Sequence, residues 1–90
     1  DHAHFTEAGD HAGELETAAM LHVAPHLVQP DRASWGAGHA RPSVFEGVRA
    51  GWAWMPRRWT QVTDDTGVGN PSQATAERGA AFVAQAVDRI

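Results

Sequence analysis

The sequence predicts an α/β unit on three observations. Apolar residues recur with helical spacing from Gly13 to Val23 and again from Phe82 to Ile90, and short segments rich in β-branched and aromatic residues lie between them. The order is loop, helix, loop, strand, loop, helix, which suits part of a layered α/β domain. With 90 residues, 42% of them hydrophobic, residues 1–90 read as one globular unit or a piece of one. A chain this short buries only about 60 to 65% of the surface its unfolded form exposes, so its stability needs a metal or a partner. Cysteine is absent, which removes disulfides, thiolate metal ligands and thiol nucleophiles.

Residues 1–12 are polar and read as a loop leading into a helix, with Asp10 near the N-cap and Glu14 and Glu16 in the first turns, where acids complement the helix dipole. Leu15, Ala19 and Val23, flanked by Ala18 and Met20, form the stripe expected to face a core. Pro25 ends this helix of about ten to fifteen residues. The Gly-rich segment 35–39 reads as loop. Val44 to Val48 and Gly51 to Met55 supply the predicted strand, with Trp52 and Trp54 alternating along one face. A long loop from Pro56 to Pro71 follows, and loops of that length in compact domains tend to be functional. Asn70-Pro71 has the form of a helix start. The last helix sets Val83, Ala86, Val87 and Ile90, with Phe82 at the edge, against Glu77, Arg78, Gln85, Asp88 and Arg89 on a solvated side. Gly67 and Gly69 are expected to take positive φ in a tight turn; the Gly-x-Gly lacks the Lys and preceding strand of a phosphate loop.

The net charge of −4, with seven basic residues that are all Arg, argues against a nucleic-acid surface. No apolar run is long enough to cross a bilayer. The N-terminus, Asp1-His2-Ala3-His4, has neither a Met nor the features of a signal peptide, and the chain stops within an apolar stripe, so a fragment that begins inside a domain is expected.

Asp10-His11-Ala12-Gly13-Glu14-Leu15-Glu16-Thr17, an apolar helix and then Pro25-His26-Leu27-Val28 resemble the acidic-His-x-Gly-x-x-Glu-Thr motif and Pro-x-Leu-Val helix end of the creatininase (creatinine amidohydrolase) family. Thr66-Gly67-Val68-Gly69-Asn70-Pro71 with Ala74-Thr75-Ala76-Glu77-Arg78-Gly79 is similar to that family's C-terminal turn and its Ala-Thr/Ser-x-Glu-Lys/Arg-Gly helix. Two motifs in order are more specific than either alone. The resemblance implies the C-terminal part of a three-layer α/β/α domain in a cytoplasmic homohexamer. It also implies a binuclear Zn or Mn centre that activates water for hydrolysis of a small cyclic amide or cyclic ketone. Most family metal ligands lie in the N-terminal part and have no counterpart here, so no metal ligand is assigned to this chain. His11 takes the position of the family's proton shuttle. Glu7 stands four residues before it, where creatininase has a tryptophan, which speaks against creatinine as substrate. The segment from Gly51 to Trp59 resembles a subgroup that includes a 3-dehydro-scyllo-inosose hydrolase.

The catalytic candidates are therefore His11 and Glu16. Histidine's ordinary pKa of about 6.5 suits proton transfer near neutrality, while Glu16 can orient His11 or touch the metal shell; the bland readings are an exposed helix-start histidine and a solvated carboxylate. Glu14 is read as a capping or surface acid. Trp52, Trp54 and Trp59, with Arg57 and Arg58, are candidates for the substrate wall or for a core or subunit contact. His2 and His4, alternating as in a strand, with Asp1, Glu7 and Asp10, form a candidate N/O metal site. His22 and His26 read as structural or exposed. Three functions stay open: part of a metal-dependent hydrolase, a non-catalytic piece making subunit contacts, and a small His-based metal-binding module.

Overall fold

The structure, a computed structural model, describes residues 2–31 and 34–90. Four α-helices are present among them: α1 (Glu14–Val23), α2 (Glu46–Ala50), α3 (Trp59–Val62) and α4 (Ala76–Asp88). Short 3-10 turns occur at His2–His4, Pro25–Leu27 and Pro71–Gln73. None of these helices is long and apolar enough to cross a membrane.

α1 and α4 pack directly on one another. The crossing is set by Gly79, where an added Cβ would stand 1.9 Å from the carbonyl oxygen of Ala18. Ala18 is fully buried, as the close approach of two backbones requires. The buried face of α1 is therefore Glu14 and Ala18, and the expected Leu15-Ala19-Val23 stripe is only partly covered, with Val23 exposed. Likewise on α4 the buried position is Gly79; Phe82 and Val83 are half-buried, whereas Val87 and Ile90 are exposed. Periodicity picks out apolar faces, but backbone proximity chose the residues at this crossing. The N-terminal turn is tied to α4 by Phe5 meeting Phe82 edge-on at 5.7 Å and by His4 Nε2 donating to Gln85 Oε1 at 3.0 Å.

The helix ends follow local chemistry. α1 starts from Gly13, which has no side chain to cap it; Asp10 lies three residues before that position and is engaged by Arg57. It stops at Ala24, before Pro25. Asn70 does cap a helix start, accepting from the Ser72 amide at 3.1 Å, but that start is the Pro71–Gln73 turn. α4 begins later, with the Thr75 hydroxyl accepting from the Arg78 amide at 3.2 Å.

The strand expected over residues 44–55 does not form. Val48 lies in α2, which closes at Gly51 with φ of 83°. The amides of Trp52 and Ala53 then turn back to the Gly47 carbonyl, at 3.1 and 3.0 Å, so they are unavailable to a neighbouring strand. The long loop from Pro56 is interrupted by α3. Among the described residues, β structure is confined to two antiparallel bridges, His11 with Val68 and Gly38 with Gly69.

Glu14 is 2% exposed and is the largest fully buried side chain among the described residues, which corrects its reading as a surface acid. Its Oε2 accepts from the Thr6 amide (2.8 Å), the Thr6 hydroxyl (2.7 Å) and the Glu7 amide (3.3 Å), while Oε1 accepts from Arg78 Nη1 at 2.5 Å. Burial, the largest single influence, pushes its pKa up. The bonds from Thr6, Glu7 and Arg78 together outweigh it and leave the pKa below the ordinary 4.5.

Gly79→Ala is expected to destabilise the protein by about 3 kcal/mol or more, since backbone rather than a flexible side chain blocks the new methyl; a denaturation midpoint equal to wild type would refute the close crossing. Ionised Glu14 stabilises the fold above the unfolded-state pKa, and this contribution is lost as pH falls through the lower folded-state value. Melting temperature should therefore drop as pH falls from about 5 to about 3. Glu14→Gln should weaken that dependence, and an unaltered slope would count against the assignment.

Candidate active site

Three loops converge on the extended backbone at Val68 and Gly69. On one side the amides of Asp10 and His11 donate to the Val68 carbonyl at 2.8 and 3.0 Å, and the Val68 amide donates to the His11 carbonyl at 2.9 Å. On the other, Gly38 and Gly69 exchange amide bonds of 2.8 and 3.0 Å. The chain can come this close because Gly69 lacks a Cβ, which would stand 2.7 Å from the Gly13 Cα. Positive φ falls on Thr66 (78°) rather than on Gly67. For a β-branched residue this is strained backbone, and Ala12, next to His11, is held at φ 55°. The buried Thr63 helps brace the turn by donating its hydroxyl to the Gly67 carbonyl at 3.0 Å.

This arrangement brings two of the sequence candidates together. The His11 ring meets the Trp59 ring edge-on, 5.4 Å between centroids and 83° between planes. Trp59 is fixed by α3 and by its indole N–H donating to the Thr66 carbonyl at 2.8 Å. Arg57 lies over the same indole, 5.1 Å from its centroid, and donates to Asp10 Oδ2 at 2.7 Å. The hydrogen bond from Arg57 is the main reason the Asp10 carboxyl sits below the usual carboxylate range; burial opposes it, and the charges of Arg57 and His11 add to it. The same bond raises the Arg57 pKa. His11 itself is exposed, and among the described residues no hydrogen bond occupies its ring. An imidazole held by its backbone and one ring face, with its nitrogens open, can exchange a proton with a bound molecule.

An open cavity of about 530 Å³ lies beside this cluster, with Glu7 and Asp10 on one wall, Gly38 and His39 on the other, and Val68 and Gly69 between. The Glu7 carboxylate is steadied by Asn70 Nδ2 at 3.3 Å. A smaller cavity of about 120 Å³ shares Glu7 and Asp10 and reaches Glu16, which is exposed. His39 was not singled out from the sequence. It sits in a Gly-rich loop without periodicity, and only the Gly38–Gly69 pairing carries it to the cavity wall. Trp52 and Trp54 are 78% and 85% exposed and line neither cavity; the Trp52 ring rests over Gly47 of α2.

Among the described residues the candidate N-terminal metal cluster does not assemble. His2–His4 is a 3-10 turn rather than an extended strand, and His4 bonds to Gln85. Asp1 lies outside the described residues. Asp10 is paired with Arg57 and Glu14 with Thr6 and Arg78. Among the described residues no group of three or more His, Asp or Glu can hold a metal ion, so they do not by themselves fit a metal centre. His22 and His26 are exposed.

The chain is 41% identical to a solved Bacteroides fragilis NCTC 9343 protein assigned as a creatinine amidohydrolase, with a TM-score of 0.83 over 96% of this chain and 34% of that one. It is 35% identical over 80 residues to the mycofactocin precursor peptide peptidase of Mycobacterium ulcerans (strain Agy99), covering 87% of this chain and 29% of the relative. The chain thus spans about a third of the length of these relatives. The solved relative has the creatininase α/β fold, and the described helices and bridges match part of it. The creatininase (creatinine amidohydrolase) family model matches residues 1–90, and the chain belongs to that family.

Proposed function

We propose that this chain supplies the His11-centred part of the active site of a creatininase-family hydrolase. The whole protein would be a three-layer α/β/α homo-oligomer in the cytoplasm, hydrolysing an amide or a related carbonyl bond in a small polar, cyclic substrate. The observation that carries this reading is the His11 imidazole braced against Trp59 and next in the chain to Asp10, which lines a cavity together with Glu7 and His39. In the reaction, water adds its oxygen to the substrate carbonyl carbon while His11 accepts the proton released. His11 then returns that proton to the leaving nitrogen as the carbon–nitrogen bond breaks. Trp59 limits the imidazole to one orientation, and the Arg57–Asp10 pair keeps an ionised carboxylate next to it. Glu16, at the edge of the smaller cavity, is the second candidate for this machinery. A divalent Zn or Mn would take most of its ligands from the family's N-terminal part, outside this chain.

The openness of the cavity and the relative named as a peptidase favour a second substrate class, a peptide bond in a longer chain. For segment 44–55 a subunit-contact role is favoured by the exposure of Val44 (85%), Trp52 and Trp54. That role accompanies the enzymatic one, and mixing the chain with a complementary N-terminal segment separates the two: turnover recovers if His11 completes a site, whereas association without turnover leaves a structural piece.

In the protein that carries this chain, His11→Ala should lower kcat by about 100- to 10,000-fold, and retention of full turnover would sink the proposed role. Arg57→Ala should return the Asp10 carboxyl toward its ordinary pKa of 3.8 in a carbon-13 NMR titration, with an unmoved midpoint ruling out Arg57 as the cause.

A further inference from the structure

Glu14 is placed at the first residue of α1, three positions after His11, and its buried carboxylate reaches back to Thr6 and Glu7. Residues 6–14 are thereby closed into a loop whose two ends are pinned at one carboxylate. That loop carries Glu7 and Asp10 of the cavity wall, and His11. Its middle is held by the backbone bridge to Val68, by the bonds from Arg57 to Asp10 and from Asn70 to Glu7, and by glycine contacts, with Gly9 and Gly13 lying against Val68 and Gly69. It also contains Ala12 in the left-handed region, a conformation that persists only where the surroundings enforce it. On the far side, Arg78 of α4 holds the other carboxylate oxygen and also donates to the Gln73 carbonyl at 3.2 Å. Four donors therefore converge on Glu14, a demand that only an acceptor-only group meets. The amide of a glutamine would turn a donor toward donors.

Resting on the reading of His11 as the proton-transfer group, we infer that Glu14 is a positioning residue: clamped by Arg78, it closes the 6–14 loop and fixes His11 against Trp59 and Glu7 at the cavity wall. The plain alternative is a clip that only joins α1 to α4. The two differ at Thr6. Its hydroxyl bond to Glu14 supports the loop, while Arg78 alone links α1 to α4 through this carboxylate.

The experiment compares Thr6→Val, Thr6→Ser and Glu14→Gln in the protein that carries this chain, following kcat, KM, melting temperature and the His11 ring protons by NMR with labelled histidine. Thr6→Val removes one bond, keeps the side-chain shape and leaves the Glu14–Arg78 pair intact. It should lower kcat by about 10- to 100-fold with KM nearly unchanged, and should shift the His11 ring signals as the imidazole leaves the ring-current field of Trp59. Thr6→Ser, which keeps the hydroxyl, should behave as wild type. The positioning role is overturned if Thr6→Val, or Glu14→Gln where it folds, lowers the melting temperature while kcat and the His11 signals stay as in wild type. His11→Ala run alongside separates the two ideas: full turnover in that variant refutes the catalytic reading, while the His11 signals in Thr6→Val still report whether Glu14 positions the ring.

Discussion

The absence of a side chain at Gly79 lets α4 lie directly on the backbone of α1 at Ala18, and the rest of the structure is arranged around that contact. With two helices this close, little apolar volume remains between them. The buried apolar side chains among the described residues are Ala18, Val62 and Ala74, none of them large. Stability at this junction relies on backbone proximity and on polar bonds made where water is excluded.

Glu14 follows from the same geometry. At the start of α1 and facing α4, it is buried by the crossing, and a buried carboxylate is tolerable only when its lone pairs are filled. Thr6, Glu7 and Arg78 fill them, and in doing so they join the N-terminal segment, α1 and α4 at one point. The loop between these anchors bears His11, so the buried carboxylate and the exposed imidazole proposed for proton transfer are three residues apart. Large apolar residues elsewhere, including Leu27, Val44, Phe45, Trp52, Trp54 and Ile90, remain exposed on a chain about a third as long as its solved relative.

Two members of the candidate site were named from the sequence. The run from Asp10 to Thr17 marked His11, and Trp59 was identified as an aromatic near basic residues; the structure brings these two rings into contact. The strand over 44–55 was misread because aromatic alternation is a packing preference rather than a backbone instruction. Gly51 and the amides returning to Gly47 settled that segment as a short helix and turn. His39 left no local signal, since its place depends on pairing across 31 residues between Gly38 and Gly69.

By itself the sequence determined the two principal helices, the stop of the first at Pro25, the Asn70 cap of the turn that precedes the second, and the family to which the ordered motifs belong. These are matters of spacing, capping and backbone sterics, all of which act within a few residues. Only the tertiary structure decided which face of each helix is buried, that Glu14 is an internal acceptor rather than a surface acid, and that His11, Trp59, Arg57 and Asp10 form one cluster. Those outcomes turn on contacts between residues tens of positions apart, where close backbone approach and the need to satisfy every buried donor and acceptor override local preference.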